Sequence, residues 1–134
     1  MPYFKDRDEL FRCIGGLFEE AVRDDALIMR LGDDAIVLKL VCSDPEAVVV
    51  VDMRGRAVRG GAAADAADVE LRLAGDVAHR FFLGKVNLPV AIATGTVRVK
   101  GPLPKLLKVL PLSKELFPRY RALLERDGRT DLIV

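Results

Sequence analysis

The fold of this chain is decided by one stretch, DVAHRFFLGKVNLPVAIATGTVRVKG, which runs from Asp76 to Gly101. Asp76 is a typical N-cap, because its carboxylate accepts the unpaired N–H groups of a first helical turn, and Gly84 suits the left-handed residue that ends a helix. Pro89 fits the first turn of a second helix, since its φ is already helical. The stretch therefore predicts two short helices, the second of which ends at Gly95.

Strict alternation follows these two helices. Val97 and Val99 fall on one face of an extended chain. The other face carries polar or charged side chains, those of Thr96, Arg98 and Lys100. Because successive side chains of a strand point to opposite faces of a sheet, the pattern predicts a strand with one face towards the core and the other towards solvent.

The clearest helix of the sequence is predicted from Asp6 to Asp25. Its apolar residues recur at three- and four-residue steps and form one stripe. They are Leu10, Phe11, Ile14, Leu17, Phe18, Ala21 and Val22. Gly15 and Gly16 interrupt the helix at a cost of about 1 kcal/mol each relative to alanine, which predicts a bend or the close approach of another element. A further turn is predicted for Leu27 to Leu31.

Between these two regions the period changes from helical to extended. Runs rich in valine, leucine and isoleucine cover Ala35 to Cys42 and Ala47 to Met53 and flank the turn signal Ser43-Asp44-Pro45. They predict two neighbouring antiparallel strands. Shorter strands are predicted at Ala57 to Arg59 and, by alternation, at Val69 to Leu73. The Ala- and Gly-rich segment between these short strands leaves both helix and loop open.

Helical spacing returns in the C-terminal third. One apolar helix is predicted between Pro102 and Pro111, and a longer helical segment from Leu112 to Gly128. Pro118 is expected to divide a short first turn of this segment from the helix proper. The last three residues are apolar enough to dock against the rest of the protein.

The order of these elements predicts an α+β fold. A helix, about four strands, two short helices, a fifth strand and C-terminal helices follow one another, without the regular alternation of a doubly wound parallel sheet. We therefore expect a largely antiparallel five-stranded sheet with helices packed on one face. At 134 residues, 51% of them hydrophobic, the chain suffices for a single folded domain, residues 1–134.

Few residues of the sequence would support catalysis or metal binding. His79 is the only histidine, whereas a zinc site needs three or four converging ligands, and we expect His79 on a helix surface. Ser43 and Ser113 lack the context of a nucleophile. Cys13 and Cys42 are expected to be buried, without a disulfide. The sequence thus predicts no catalytic residue, no metal and no cofactor; an enzyme would need His79 and a carboxylate to line a cavity.

Charge and targeting signals narrow the partners and the location. From Arg98 to Arg129 there are nine basic and three acidic residues, although the net charge of the chain is only +1. An ordinary solvated helix face explains this best; contact with an anionic membrane surface is the alternative. Nucleic acid is not an expected partner, because no basic-aromatic stacking motif is present. The charged N-terminus does not resemble a signal peptide, so a cytoplasmic location is expected.

The opening stretch resembles the sterol carrier protein type 2 family, in its divergent, single-domain bacterial form. The matching positions are the run Phe81-Phe82-Leu83-Gly84-Lys85, then Ala91, Gly95 and the strand Val97-Arg98-Val99-Lys100-Gly101. The resemblance implies that helices and sheet enclose an apolar cavity. It further implies non-enzymatic binding or transfer of a hydrophobic small molecule: a fatty acyl, isoprenoid or sterol-like lipid. Release is expected to require movement of the C-terminal helices, with Pro111 and Pro118 as flexible points.

The resemblance also implies which apolar residues would line the cavity. They are Phe81, Phe82, Leu83, Val90, Ile92, Leu103, Leu106, Leu107, Leu110, Leu116, Phe117 and Tyr120. The chain departs from the family in two places: Pro102 stands where an acidic residue often follows the strand, and residues 112–134 form a helical extension. A different hypothesis stays open, in which the apolar helices fill the core and the chain is a structural, accessory or homodimerisation module without a ligand.

Overall fold

The computed structural model describes residues 2–134, which form one mixed sheet and a set of short helices. The strands are β1 (Val37–Ser43), β2 (Ala47–Asp52), β3 (Ala57–Gly60), β4 (Val69–Ala74) and β5 (Arg98–Lys100). The α-helices are α1 (Arg7–Leu10), α2 (Gly16–Arg23), α3 (Asp25–Leu31), α4 (Gly75–Phe82), α5 (Leu88–Ala93), α6 (Leu103–Val109) and α7 (Leu116–Arg126). Three 3-10 turns complete the set, at Gly32–Asp34, Leu110–Glu115 and Thr130–Leu132.

The sheet confirms the predicted α+β fold class and adds one parallel pair. Its strand order is β3-β2-β1-β4-β5. Strand β1 pairs with β4 in parallel, with Leu40 opposite Leu71, and the other three pairings are antiparallel. Side chains alternate between faces, so Leu38, Leu40 and Cys42 of β1 all point to the side that the helices cover. This side of the sheet forms the floor of the hydrophobic core.

The predicted first helix is continuous but irregular where the two glycines stand. A π-helical turn, Phe11–Gly15, joins α1 to α2. A Cβ atom at Gly15 would lie 3.1 Å from the ring of Phe11, and one at Gly16 would lie 3.5 Å from the side chain of Leu123. The crowding at Gly15 thus comes from Phe11 of the same helix, whereas a Cβ atom at Gly16 would make only an ordinary van der Waals contact with α7, so neither glycine is required by the close approach of another element. Asp24 ends α2 with extended backbone angles and caps α3 by accepting a hydrogen bond from the N–H of Leu27.

Some local predictions were wrong. Helix α4 begins at Gly75 rather than after Asp76, and the carboxylate of Asp76 instead accepts a hydrogen bond from the N–H of Tyr3 (2.7 Å). Pro118 does not divide the last helix, because it lies in the first turn of α7, where a backbone N–H has no helical partner to lose. Gly84 does end α4 with a positive φ of 79°, as predicted.

The sheet face opposite the helices contains a buried ion pair that the alternating pattern missed. Glu70 alternates with the apolar residues of β4, a pattern that predicts a solvent-facing side chain, but it stands opposite Lys39 of β1, and the side chains of Glu70 and Lys39 are only 6% and 5% exposed. The Lys39 ammonium lies 2.9 Å from Glu70 and also donates to the backbone carbonyls of Ala63 (2.5 Å) and Asp65 (2.6 Å). The three N–H donors of Lys39 thus hold the loop after β3 against the sheet. The hydrogen bond that Lys39 donates to Glu70 lowers the pKa of that carboxyl group.

Replacing Lys39 by methionine tests this role. The variant leaves two carbonyls and a carboxylate oxygen without their donor, and breaking a buried pair in this way costs about 3 kcal/mol. We expect that loss in the free energy of unfolding, measured by urea denaturation. The matched control is Arg59→Met, which removes an exposed partner of Asp65 in the same loop and should cost less than about 1 kcal/mol. Equal losses in the two variants would contradict the assignment.

Candidate functional site

A cavity of about 120 Å³ lies between the sheet and the helices. The sheet contributes inward-facing side chains to its floor, those of Leu38, Leu40, Val51, Leu71 and Leu73. Helices α2, α3 and α4 contribute Phe18, Ala21, Val22, Leu27, Ile28, Leu31, Val77, Ala78, Phe81 and Phe82. The C-terminal segments contribute Leu106, Val109, Leu110, Leu112, Ser113 and Leu116. Every layer of the fold therefore takes part in enclosing this space.

The chemistry of the cavity wall is almost wholly apolar. Among the described residues, Ser113 is the only lining residue with a polar side chain, and its hydroxyl donates to the carbonyl of Leu110 (2.6 Å) rather than into the cavity. Such a wall removes apolar surface from water, which contributes about 25 cal/mol per Å² buried. It is therefore suited to a ligand, or part of a ligand, that carries no charge.

The mouth of the cavity is marked by lining residues that stay partly exposed. Five of them are Ala21, Leu73, Val77, Phe81 and Val86. The other five belong to two segments: Ile28 and Leu31 to α3, and Leu110, Leu112 and Ser113 to the 3-10 turn at Leu110–Glu115. An ion pair between Arg30 and Glu115 connects these two segments.

The twelve predicted lining residues are divided by the structure. Phe81, Phe82, Leu106, Leu110 and Leu116 line the cavity. The other seven lie outside it: Leu83 and Tyr120 are buried elsewhere, Ile92 and Phe117 are partly buried, and Val90, Leu103 and Leu107 are exposed. Helices α5 and α6 have only one side towards the core, and their apolar residues continue beyond that side. Whether a ligand touches the seven stays a prediction.

The prediction missed the lining residues from the sheet, α2 and α3. The alternation places Leu71 and Leu73 on one face of a strand, and the helical stripe contains Ala21 and Val22, but none of the four was among the residues predicted to line the cavity. The available signal was the convergence of two apolar faces, one with period two and one with period 3.6, on the same layer. The periodicity of a sequence shows which way an apolar face points, but it does not show how wide the space between two such faces is.

His79 was predicted on a helix surface, and this was wrong. Its ring is fully buried, with Nδ1 2.7 Å from the hydroxyl of Tyr120 and Nε2 2.7 Å from the carbonyl of Leu132. A carbonyl only accepts, so Nε2 carries the proton and Nδ1 accepts from Tyr120. The rings of Tyr3 and Phe4 pack against the imidazole. The neutral histidine thus joins the N-terminus, α4, α7 and the C-terminal tail, and it does not line the cavity.

Side chains that could bind a metal or react chemically lie away from the cavity. Within residues 2–134, no cluster of three or more histidine, cysteine, aspartate or glutamate side chains is placed to hold a metal ion. Cys13 and Cys42 are free and buried, as predicted, and burial raises the pKa of these thiols to about 11 and about 12. No helix in the described part of the chain has the length and apolar character needed to span a membrane.

Comparison with known proteins identifies relatives of this fold. The sequence profile of the SCP-2 sterol transfer family matches residues 17–114. The sterol carrier protein domain 2 of Helicoverpa armigera superposes with a TM-score of 0.67 at 14% identity, over 88% of this chain and 95% of that one. Sterol carrier protein 2 of Yarrowia lipolytica, in its apo form, gives 0.60 at 18% identity over 77% and 86%.

A third similar structure is a UbiJ-SCP2 ubiquinone synthesis protein, with a TM-score of 0.59 at 19% identity over 87% of this chain and 95% of that one. Identities this low show a shared fold alone. No curated protein matches the chain in sequence.

The buried histidine predicts a dependence of stability on pH. Burial lowers the pKa of His79 below its ordinary 6.5, so the unfolded chain binds a proton more readily than the folded one. The stabilisation is complete above pH 6.5 and is lost as the pH falls towards the folded-state pKa. Urea denaturation at pH 7.5 and 5.5 should show lower stability at 5.5. His79→Gln, which does not titrate, should lose most of this difference; an unchanged difference would contradict the assignment.

Proposed function

The chain belongs to the SCP-2 sterol transfer family, and we propose that it binds and carries a hydrophobic small molecule in the cavity between sheet and helices, without catalysing a reaction. Membership of the family supports lipid binding or transfer in general. The finer proposal is a fatty acyl, isoprenoid or sterol-like ligand. We further propose that residues 112–134 close one side of the site, since Leu112, Ser113 and Leu116 contribute to its wall.

The observation that carries this proposal is the apolar wall of the cavity. A ligand that buries about 300 Å² of hydrocarbon surface would gain about 7 kcal/mol, before the costs of association. No directed polar contact is needed for this affinity, so the site would be permissive towards different apolar chains. Phe81 and Phe82, which carry the resemblance to the family, both lie in this wall.

The small volume of the cavity favours a second candidate function, a module without a ligand. Its volume of about 120 Å³ is below the roughly 300 Å³ at which ordinary small-molecule sites begin. In a carrier, the cavity must therefore enlarge when a lipid binds. In a structural, accessory or homodimerisation module the small volume would be an ordinary packing defect, and no lipid would bind.

Transfer of a lipid would also require contact with a membrane. Leu103 and Leu107 are exposed on α6. Lys105 and Lys108 of the same helix are more than half exposed and make only long ion pairs, 4.0 Å to Asp68 and 3.9 Å to Asp34. We propose that this helix contacts anionic membrane surfaces transiently, since basic residues near such a surface contribute about 1 kcal/mol each. Sedimentation with vesicles rich in phosphatidylglycerol, and not with phosphatidylcholine vesicles, tests the contact.

The ligand is identified first by mass spectrometry of an organic extract of the purified protein, together with native mass spectrometry of the intact chain. A co-purifying lipid in near-stoichiometric amount supports the carrier and names its ligand class. Absence of lipid, together with no binding of a fluorescent fatty acid, would leave the accessory module as the better proposal.

Filling the cavity tests its role. A space of about 150 Å³ accommodates benzene, so the phenyl ring of Ala21→Phe would occupy most of the cavity that Ala21 lines. We expect affinity for a fluorescent fatty acid to fall by about tenfold or more, which corresponds to about 1.4 kcal/mol. Ala122→Phe, at an exposed position of α7, is the control and should bind like the wild type. Thermal denaturation checks the fold of both variants, and equal affinities would argue against this cavity.

A further inference from the structure

If the chain carries a lipid, as proposed above, its small cavity must enlarge on binding, so one of the elements that enclose the cavity must move. The C-terminal helices were the sequence-based expectation. Helix α7 is nevertheless held by three side chains that are almost fully buried, Tyr120, Leu123 and Leu124, and by the hydrogen bond from Tyr120 to His79. Moving α7 would expose this part of the core to water. Another wall of the cavity is held less firmly.

Helix α3 is bounded at both ends by backbone that is not helical. Asp24 has extended angles (φ −81°, ψ 106°), and Gly32 has a φ of 51° and a ψ of −127°, a combination that residues with a Cβ atom rarely adopt. The seven residues Asp25–Leu31 therefore form a separate rigid piece between two points where the chain direction changes. Rotations at a few such positions are what hinge motions use.

The packing of α3 is confined to one side. Leu27, Ile28 and Leu31 face the cavity, whereas the side chain of Met29 is 80% exposed on the outside. The main contacts of α3 are with its neighbours along the chain, α2 and the turn at Gly32–Asp34. A segment with few distant contacts opens at a lower free energy than the core.

In addition to the apolar packing of Leu27, Ile28 and Leu31, ion pairs connect α3 to distant segments, and one of them crosses the mouth. Arg30, in the last turn of α3, pairs with Glu115, which ends the 3-10 turn on the opposite side of the mouth. At the other end, Asp24 pairs with Arg119 of α7. The Asp24 pair holds the beginning of α3 in place as a pivot, and the Arg30 pair holds its end over the cavity.

We infer that α3 is a lid over the apolar cavity, and that the Arg30–Glu115 ion pair is the latch that keeps it closed. When the latch opens, Ile28 and Leu31 move away from Leu110 and Leu112, which widens the mouth and enlarges the cavity. The latch side chains are 55% and 41% exposed, so salt screens their attraction, because the Debye length is only about 8 Å at physiological ionic strength. Ligand exchange is therefore expected to quicken as salt rises.

The experiment compares two matched arginine variants. Arg30→Gln removes the latch charge. Arg126→Gln removes the partner of Glu20 in an Arg–Glu pair of nearly equal exposure, 60% and 40%. Like Arg30, Arg126 lies in the last turn of its helix and does not itself line the cavity. The two substitutions thus alter helix-end charge and surface pairing alike, and they differ in whether the pair spans the mouth.

Hydrogen exchange measured by mass spectrometry reads the lid without a ligand. Arg30→Gln should raise the exchange of the amides of residues 25–31 by about two- to fivefold, the effect expected for an exposed ion pair, and 0.5 M NaCl should do the same to the wild type. Arg126→Gln should leave the exchange of these residues unchanged. Equal exchange of α3 in the wild type and Arg30→Gln, or an equal rise in both variants, would overturn the lid.

Stopped-flow dissociation of a fluorescent fatty acid reads the same motion in the loaded protein. Arg30→Gln should release the probe about two- to fivefold faster, with a weaker dependence on salt than the wild type, while Arg126→Gln behaves as the wild type. Faster exchange of α3 without faster release would overturn its role as the route of access. If the wild type binds no probe, the carrier proposal fails, and the hydrogen-exchange comparison still decides whether the latch holds α3 closed.

Discussion

The structure depends on the need to cover the apolar face of one five-stranded sheet with helices that are all short. The longest regular α-helix of residues 2–134, α7, has 11 residues, which at 1.5 Å per residue spans about 16 Å, and the longer helical run from Arg7 to Arg23 is interrupted by a π-helical turn. The cover is therefore assembled from several pieces that meet above the central strands. The cavity lies where these pieces meet.

The opposite face of the sheet is covered in a different way from the face beneath the helices. There the cover is a loop without regular structure, and Lys39 holds it by donating to two carbonyls and to Glu70. Because all three donors of Lys39 are satisfied, the pair fixes the loop in one place. This polar cover contrasts with the almost wholly apolar wall of the cavity beneath the helices.

Much of the fold follows from the sequence because the period of the apolar residues changes clearly along the chain. The alternation around Leu71 and the stripe around Leu17 gave the strands and helices to within a few residues. The parallel direction of β1 and β4 did not follow, since alternation looks the same in parallel and antiparallel strands. The burial of His79 depends on Tyr120 and Leu132, which are 41 and 53 residues away, and no local pattern contains such a contact.

The candidate site was less predictable than the fold, for a related reason. Hydrophobic residues of α6 such as Leu106 and Leu107 are alike in sequence, yet one lines the cavity and the other faces solvent. The choice depends on the rotation of a helix of seven residues, which its neighbours set. Five of the twelve residues predicted to line the cavity do so, namely Phe81, Phe82, Leu106, Leu110 and Leu116, and the first two also belong to the run that carries the resemblance to the family.

The two ends of the helical layer are held by different forces, so we expect the cavity to open more easily at one end than at the other. Around His79, hydrogen bonds within the core and an ion pair between Arg129 and Glu9 join both termini to α4 and α7. Around α3, the distant polar ties are largely ion pairs at the surface, which are weak and sensitive to salt. We therefore expect the helical layer to open locally at α3, because the free energy of opening is lowest where the fewest buried groups become exposed to water. A lipid that enters there would leave the His79 network intact, so the protein would remain folded while its cavity is open.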